Sequence, residues 1–329
     1  MNITNEMIHP ELRRMGRLIR TLVPYFKPST FVKANKGMKL MKARSSKDMR
    51  FEQINIERPN GSSLRLCVYS PITRKENATG ILWIHGGGYG LGRPEQDENF
   101  IKSFVLEHDC VVVSPDYTLS TEAPYPSALE DCYLALLWLK QNANKYMVRS
   151  DQLMVGGDSA GGGLTSALTI YARDKEKVAI AFQMPLYPML DDRMITESSQ
   201  SNDAPVWNTK SNENAWKMYL GSLYGSDSVP PYASPARLKD FRNLPPAFTY
   251  VGSIDPFKDE TIAYMESLKS VGIPVNYRVF EGCYHAFDIM VSKSTPAKEA
   301  KKLLMENFAY AKNNYFAEQP KNKKEGHFL

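Results

Sequence analysis

The order of apolar and polar positions changes at about residue 50, where short apolar runs begin to alternate with longer amphipathic stretches. The first two runs alternate apolar and polar residues. The later runs are almost continuously apolar, which is typical of parallel strands buried on both faces. The predicted strands are Phe51–Glu57, Leu64–Tyr69, Ile81–His85, Val111–Pro115, Leu153–Gly157, Ala179–Met184, Ala247–Val251 and Val275–Phe280.

Amphipathic stretches between these strands carry apolar residues at helical spacing. The clearest of them are Ser127–Asn142, Lys258–Val271 and Ala297–Tyr315. Strands and helices that alternate in this way predict an α/β fold, in which a mostly parallel sheet is covered by helices on both faces.

Two segments depart from this alternation. Residues 189–231 contain no predicted strand, are polar and aromatic, and include one predicted helix at Lys210–Leu220. A connection of this length is usually a lid or a binding insertion, so we expect it to lie above the sheet together with residues 1–48. The expected organisation is a core of residues 49–188 and 232–320, two cap segments at 1–48 and 189–231, and a polar tail at 321–329.

An amphipathic helix is predicted within His9–Val23 of the N-terminal segment. Its apolar residues at helical spacing are Leu12, Met15, Ile19 and Leu22. Because a single apolar stripe favours burial, we expect these residues to pack against the body of the protein. The arginines on the other faces of the helix would then be solvated.

The charge of the chain is unevenly distributed. The chain has 41 Lys and Arg against 36 Asp and Glu, a net charge of +5, and residues 1–50 hold 12 basic and 3 acidic residues. A basic arm suggests nucleic acid or anionic lipid, but the predicted helix lacks the aromatic residues that stack on bases. We therefore predict no nucleic-acid partner and keep membrane or partner contact of this segment as a minor alternative. No apolar run approaches the ~18 residues of a membrane span, so stable membrane insertion is not expected.

Cysteine usage and the N-terminal sequence bear on the cellular compartment. Cys67, Cys110, Cys132 and Cys283 are scattered without CxxC spacing, which is typical of reduced, buried thiols rather than a disulfide or zinc framework. The N-terminus lacks the apolar stretch of about 7–15 residues found in secretory signals. These features predict a cytoplasmic protein with no metal site.

The most informative motif is Gly157-Asp158-Ser159-Ala160-Gly161, which follows an apolar strand and precedes a predicted helix at Leu164–Tyr171. A serine on a tight strand-to-helix turn is exposed above the sheet, and the turn requires small flanking residues. The motif therefore predicts Ser159 as a nucleophile. The alternative is a glycine-rich turn with an incidental serine, which would make the other two motifs coincidences.

A second motif, His85-Gly86-Gly87-Gly88-Tyr89, directly follows the strand at Ile81. Glycines in this position allow the backbone to point its N–H groups at a developing oxyanion, which needs donors at about 2.7–3.1 Å. A phosphate-binding loop is disfavoured, because neither GxxxxGK[ST] nor GxGxxG fits the glycine-rich segments. We interpret His85 as a residue that orders this loop rather than as a catalytic base.

A base and an acid complete the predicted site. His285 and His327 are the histidines that follow Ser159, and His285 comes shortly after a strand. Asp255 follows the preceding strand, and the order Ser, Asp, His is that of an α/β-hydrolase triad. Asp259 is the rival acid, but it is expected in the first turn of the next helix, where a carboxylate favours the helix dipole.

These motifs resemble those of the hormone-sensitive-lipase-like branch of the α/β-hydrolases, the bacterial family IV esterases, from about residue 50 to 315. A further family motif lies within Tyr117–Asp131, with Thr121 where the family usually has proline. The resemblance implies an α/β-hydrolase fold with an eight-stranded sheet, a helical cap formed by the N-terminus and an insertion, and ester hydrolysis without a cofactor. It places the oxyanion donors on the N–H groups of Gly86, Gly87 and Ala160.

Together, the residues and the resemblance predict a serine carboxylesterase that hydrolyses short-chain acyl esters through an acyl-enzyme intermediate. Aromatic residues suggest a covered apolar pocket for small esters of about C2–C8, although each of them alone is more often a core residue. The pocket candidates are Tyr89, Trp207, Trp216, Phe257, Tyr284 and Phe287. An amidase or acyltransferase with the same triad is an alternative, and a non-catalytic small-molecule receptor is a less supported one. A homodimer is left open.

Overall fold

The computed structural model describes residues 2–320, so the predicted polar tail and His327 lie outside the described residues. Within the described chain, eight strands form one sheet. They are β1 (Met49–Glu57), β2 (Ser63–Pro71), β3 (Ala78–Ile84), β4 (Val111–Pro115), β5 (Val148–Asp158), β6 (Phe182–Leu186), β7 (Ala247–Gly252) and β8 (Val275–Phe280).

The strand order across the sheet is β1-β2-β4-β3-β5-β6-β7-β8. β2 runs antiparallel to both β1 and β4, and the other neighbouring pairs are parallel. β1, at the edge, alternates between more and less buried positions, whereas β3 and β4 are buried throughout. The predicted mostly parallel sheet is confirmed.

Helices cover both faces of this sheet. Alternate residues of β3 enter two different apolar cores, with Leu82 in one and Trp83 in the other. α4 and α5 contribute to the first core, and α3 and α9 to the second. No helix in residues 2–320 combines the length and apolar character needed to cross a membrane. The α-helices are α1 (Arg13–Leu22), α2 (Pro28–Met38), α3 (Glu98–His108), α4 (Ser127–Gln141), α5 (Ala160–Lys175), α6 (Thr209–Leu220), α7 (Lys258–Ser270), α8 (Phe287–Met290) and α9 (Thr295–Asn314).

Several predicted strands begin at other residues than expected: β3 begins at Ala78 rather than Ile81, and β5 at Val148 rather than Leu153. β6 begins at Phe182, not at Ala179. The backbone of Ala179 is bound by the side chain of Gln319, which accepts its N–H at 3.1 Å and donates to its carbonyl at 2.9 Å. A distant side chain therefore satisfies the backbone groups that strand pairing would have used.

The apolar stripe predicted on α1 is only partly buried. Leu12, immediately before the helix, is fully buried, but Met15 and Leu22 are exposed, so the prediction that they pack against the body is wrong. The helix turns another face inward because Gly16 allows a close approach: a Cβ on Gly16 would lie 3.1 Å from the side chain of Pro205.

The N-terminal helices contact the insertion, defined here as residues 189–231. The Phe26 N–H donates to Ser211 Oγ at 3.0 Å, and the Asn214 side chain donates to the Phe26 carbonyl at 2.8 Å. Phe31 of α2 lies with its ring centroid 6.3 Å from that of Trp207. These contacts join the two segments at the carboxyl ends of the parallel strands, because Trp207 also lies against Gly88, just after β3.

Candidate active site

Ser159 lies at the junction of β5 and α5, at the carboxyl edge of the sheet. Its backbone has φ +55°, a left-handed conformation that costs a non-glycine residue roughly 1–2 kcal/mol. Gly157 and Gly161 flank it without space for a side chain, because a Cβ on either would collide with the carbonyl of Ile84 at the end of β3. The tight strand-to-helix turn thus requires glycine on both sides of the serine.

His285 and Asp255 meet Ser159 at this edge, since His285 follows β8 and Asp255 follows β7. The Nε2 atom of His285 is 2.7 Å from Ser159 Oγ, and its Nδ1 atom is 2.7 Å from Asp255 Oδ2. Ser159 is 5% exposed, His285 3% and Asp255 0%. This arrangement can move a proton from the serine hydroxyl to an imidazole that a carboxylate holds in place.

The structure brings Asp255, and not Asp259, to His285. Oδ1 of Asp255 accepts the N–H of Phe257 at 2.9 Å, which fixes the orientation of the carboxylate. Asp259 lies in the first turn of α7 and accepts the N–H of Ser198 at 2.8 Å. The rival acid therefore holds the insertion against α7.

His85 is held away from a catalytic role by its own contacts. Its ring stacks on that of Tyr117 with centroids 4.2 Å apart, and the Tyr117 hydroxyl donates to the His85 carbonyl at 3.0 Å. Burial lowers the pKa of His85 to about 4, so the ring is neutral near pH 7. Its Nδ1 lies 2.8 Å from the carbonyl of Gly86. These contacts order the loop that follows β3.

The first glycine of this loop differs from the expectation. The N–H of Gly86 donates to Asp158 Oδ1 at 2.9 Å, and a Cβ on Gly86 would collide with the same carboxylate. This N–H is therefore engaged within the protein and does not face an open site. The contact joins the glycine loop directly to the residue that precedes Ser159.

The next two glycines are differently placed. Gly87 and Gly88 have φ values of +121° and +57°, which favour glycine because it has no Cβ. None of the N–H groups of Gly87, Gly88 and Ala160 has a hydrogen-bond acceptor among residues 2–320. The Ala160 N–H is also the first of α5, where the helix dipole favours negative charge.

Asp158 is one half of a buried carboxyl pair. Its partner is Asp97, and the two side chains are hydrogen-bonded to each other. Burial raises the pKa of both, and that of Asp97 rises further because it faces the charge of Asp158. Two buried carboxyls in contact do not both ionise, so the pair holds one proton between them and titrates as a unit. Asp97 Oδ2 accepts the indole N–H of Trp83 at 2.9 Å, which anchors the pair to β3.

The sequence did not predict the pair of Asp97 and Asp158, and the reason differs between the two residues. Asp158 stands inside the serine motif, directly before Ser159, so its position was a usable signal. Asp97 ends a short 3-10 helix, Pro94–Asp97, and no pattern in that segment points toward Asp158.

Two of the predicted pocket residues lie at the site. Trp207 packs against Gly88, where a Cβ would collide with the indole ring, and its centroid is 6.2 Å from that of His285. The Phe257 ring meets His285 edge-on at 5.0 Å. Tyr187, which the sequence analysis did not single out, also contacts His285, at 5.1 Å. It directly follows β6, so the strand-end rule that located the histidine could have found it.

The other predicted pocket residues have packing contacts. The Tyr89 hydroxyl donates to the Met189 carbonyl at 2.9 Å, and Trp216 packs on the Tyr89 ring at 5.5 Å. The Tyr284 hydroxyl donates to the Leu12 carbonyl at 3.3 Å. Phe287 packs on Phe280, with centroids 5.4 Å apart. None of these contacts connects Tyr89, Trp216, Tyr284 or Phe287 to Ser159.

Other chemistry suggested by residue type has little support in residues 2–320. No group of three or more His, Cys, Asp or Glu side chains in this part of the chain is placed to hold a metal ion. The cysteines at 67, 110, 132 and 283 are buried and unpaired. Burial raises the pKa of Cys283 to about 12, so this thiol close to His285 in sequence is not a nucleophile.

The sequence profile of the alpha/beta hydrolase fold matches residues 81–289, more than half of the chain. The chain belongs to the α/β-hydrolase fold family. The matched range of this α/β hydrolase contains the glycine loop and the residues Ser159, Asp255 and His285.

Relatives of this α/β hydrolase have esterase names, as the predicted resemblance requires. The esterase LipI of Mycobacterium tuberculosis is 30% identical over 243 residues, which cover 73% of this chain and 75% of that one. An arylesterase of Saccharolobus solfataricus is 30% identical over 251 residues, covering 74% and 76%. The predicted membership of the hormone-sensitive-lipase-like esterases is confirmed.

Solved structures extend the similarity to almost the whole α/β hydrolase. A bacterial heroin esterase has a TM-score of 0.85 and 27% identity, covering 94% of this chain and 99% of that one. An esterase of the archaeon Pyrobaculum calidifontis has a TM-score of 0.80 and 28% identity, covering 93% and 98%.

Proposed function

We propose that this α/β hydrolase is a serine carboxylesterase that acts on short-chain acyl esters. The observation that carries the proposal is the continuous chain of hydrogen bonds from Ser159 through His285 to Asp255, with two contacts of 2.7 Å. The esterase names of the relatives support the choice of an ester over other acyl substrates.

In the proposed mechanism, Ser159 Oγ attacks the ester carbonyl while His285 Nε2 removes its proton. Asp255 holds the imidazole in the required tautomer and stabilises the imidazolium. The protonated His285 then gives its proton to the departing alcohol, which leaves an acyl-enzyme. Water repeats these steps on the acyl-enzyme, releases the carboxylic acid and restores the serine.

The oxyanion is expected to bind to the N–H groups of Gly87, Gly88 and Ala160, which have no acceptor in residues 2–320. This assignment differs from the resemblance-based one at Gly86. There the N–H is bound to Asp158, which we assign a positioning role for the glycine loop.

The preference for short acyl chains rests on the aromatic side chains around His285. Trp207 packs on Gly88, and Phe257 and Tyr187 contact the imidazole ring. We propose that residues 1–48 and 189–231 act together as a cap over these rings, because hydrogen bonds join them through Phe26. A chromogenic ester series from acetate to palmitate tests the preference, and a maximum at long chains would contradict it.

The central test is Ser159→Ala assayed on a short-chain ester. We expect the turnover number to fall by roughly 10⁶-fold while the far-UV circular dichroism and thermal unfolding stay those of the wild type. Mass spectrometry after a phosphonate probe should place the adduct on Ser159. If Ser159→Ala kept the ester turnover of the wild type, Ser159 would not be the nucleophile.

Assays on an ester, an anilide and an alcohol acceptor with one preparation separate an esterase from an amidase or acyltransferase with the same triad. Binding of small molecules without turnover of any of them would favour a receptor. A cytoplasmic location and a homodimer stay predictions, and size-exclusion chromatography with light scattering measures the latter.

A further inference from the structure

Helix α1 turns its apolar stripe toward solvent. Met15, Leu18 and Leu22 are 36%, 51% and 70% exposed. At i, i+3 and i+7 these three residues lie on one side of an α-helix, so they form a continuous strip along its length. We call this strip the α1 stripe.

The α1 stripe is not the surface by which the helix attaches to the protein. Gly16 lies on the attached side, where it contacts Pro205 and Tyr284. Arg20 on the same side donates to the carbonyl and the carboxylate of Asp203 at 2.8 and 3.2 Å. With its inner face already occupied, the helix leaves the stripe uncovered by residues 2–320.

Basic residues border the α1 stripe and dominate the surrounding segment. Arg14, four residues before Leu18, lies next to the stripe, and Arg17 follows one turn further along the helix; both are exposed, and neither forms an ion pair within residues 2–320. From Leu12 to Lys47 the chain has eleven Lys and Arg and no Asp or Glu. A short amphipathic helix with apolar residues next to arginines is typical of helices that lie in a membrane interface.

We propose that α1 docks this enzyme onto an anionic lipid surface. The α1 stripe enters the boundary between headgroups and acyl chains, and Arg14 and Arg17 bind lipid phosphates. A second copy of the chain fits less well, because two such segments would bring positive charge against positive charge. The ten residues of α1 are far fewer than the ~20 of a membrane span, so the contact is peripheral.

Docking would also bring the surface close to the candidate active site. The Tyr284 hydroxyl donates to the Leu12 carbonyl, just before α1, and Tyr284 precedes His285. A helix with its side chains is about 10–12 Å thick. A lipid surface against the α1 stripe would therefore lie roughly one helix diameter from the loop that carries the catalytic imidazole.

The test is co-sedimentation of the full chain with vesicles of phosphatidylcholine alone or with equimolar phosphatidylglycerol. We expect binding to the anionic vesicles that weakens as salt is added. Leu18→Gln with Leu22→Gln should reduce this binding at least tenfold, since apolar contact area is lost. Arg14→Gln and Arg17→Gln should each reduce it roughly fivefold.

Ile195→Gln provides the matched control, because Ile195 is 59% exposed and lies outside α1. It should leave binding unchanged, and the double leucine variant should keep wild-type turnover of a water-soluble ester. The proposal is wrong if the wild type does not bind anionic vesicles, or if the double leucine variant binds them as well as the wild type does. A wild-type dimer that the leucine changes dissociate, without any vesicle binding, would assign the stripe to a second copy instead.

Discussion

The turn at Ser159 and helix α1 differ in how closely the chain around them is packed. At the turn, glycines 157 and 161 touch the end of β3 so closely that no side chain fits, and the serine is 5% exposed. On α1, Gly16 and Arg20 contact the body, while Leu22 stays 70% exposed. The turn at Ser159 is held by close backbone contacts and hydrogen bonds, whereas α1 is attached through one narrow face.

This difference explains why the sequence predicts the turn at Ser159 but not which side of α1 is buried. A tight turn requires particular residues at particular positions, so its motif specifies its geometry. Amphipathic spacing shows only that a helix has an apolar side, and the tertiary partner decides which side is buried. On α1 the buried side is the one that contains Gly16, which hydrophobicity alone does not mark.

The largest expected effect on kcat distinguishes the carboxylates of Asp255 and Asp259. Asp255→Asn should lower kcat by about 10⁴-fold, because an amide favours the wrong imidazole tautomer. Asp259→Asn, which changes a side chain bound to Ser198, should leave kcat within a few-fold. Steady-state kinetics on one short-chain ester compares them, and equal losses would contradict the assignment of the acid.

A smaller loss is expected from the glycine loop. In Gly88→Ala the new Cβ would collide with Trp207 at a backbone φ of +57°, so the loop must shift. Misplacing one oxyanion donor typically costs ~10²–10³ in kcat. Gly61→Ala is the control: φ there is +80°, but a Cβ would meet nothing within 4 Å. It should cost stability and leave kcat unchanged, and wild-type kcat in Gly88→Ala would exclude the proposed donor.

A third prediction concerns stability as pH changes. Asp288 Oδ2 accepts hydrogen bonds from the hydroxyls of Tyr250 and Tyr187 at 2.6 and 3.2 Å, and burial raises the pKa of Asp288 to about 6. The folded protein therefore binds this proton more tightly than the unfolded chain, whose carboxyl titrates near ~3.9. The contribution of Asp288 to stability is fully present below about pH 4 and is lost as the pH rises through about 6, by up to about 3 kcal/mol.

Asp288→Asn has no proton to lose, so the difference in unfolding free energy between this variant and the wild type should grow in the variant's favour between pH 4 and 7. Urea unfolding at both pH values measures it. A difference that is independent of pH would show that Asp288 does not titrate in this window.

The smallest effects compare the two sides of the N-terminal helix. Leu12→Ala should lower the unfolding free energy by about 2–3 kcal/mol, because it opens a cavity at a fully buried position. Leu22→Ala, at a 70% exposed position, should change it by less than about 0.5 kcal/mol. Equal losses in thermal or urea unfolding would place Leu22 in a contact that the structure lacks.

Much of the fold follows from patterns that are local in sequence. Continuous apolar runs between amphipathic stretches identified the parallel strands, and β4 and β8 have the predicted bounds. Ser159, Asp255 and His285 could be selected together because each was expected at the end of a strand. Their order along the chain then limited the choice further.

What the sequence did not reveal depends on partners far away in the chain. Asp97 meets Asp158 only after β3 and β5 have paired, so neither residue signals a shared proton by itself. The Gly86 N–H is diverted for the same reason, since its acceptor belongs to that pair. Such contacts arise from the packed sheet and leave no regular spacing in the sequence.

The two hydrogen bonds between the Gln319 side chain and the Ala179 backbone have a practical consequence for protein engineering. One amide side chain holds both backbone groups of a residue 140 positions earlier, next to a central strand. Shortening the enzyme to residue 318 would release those groups and loosen the approach to β6. Affinity tags and fusion partners should therefore be joined beyond Gln319, so that its hydrogen bonds to Ala179 are kept.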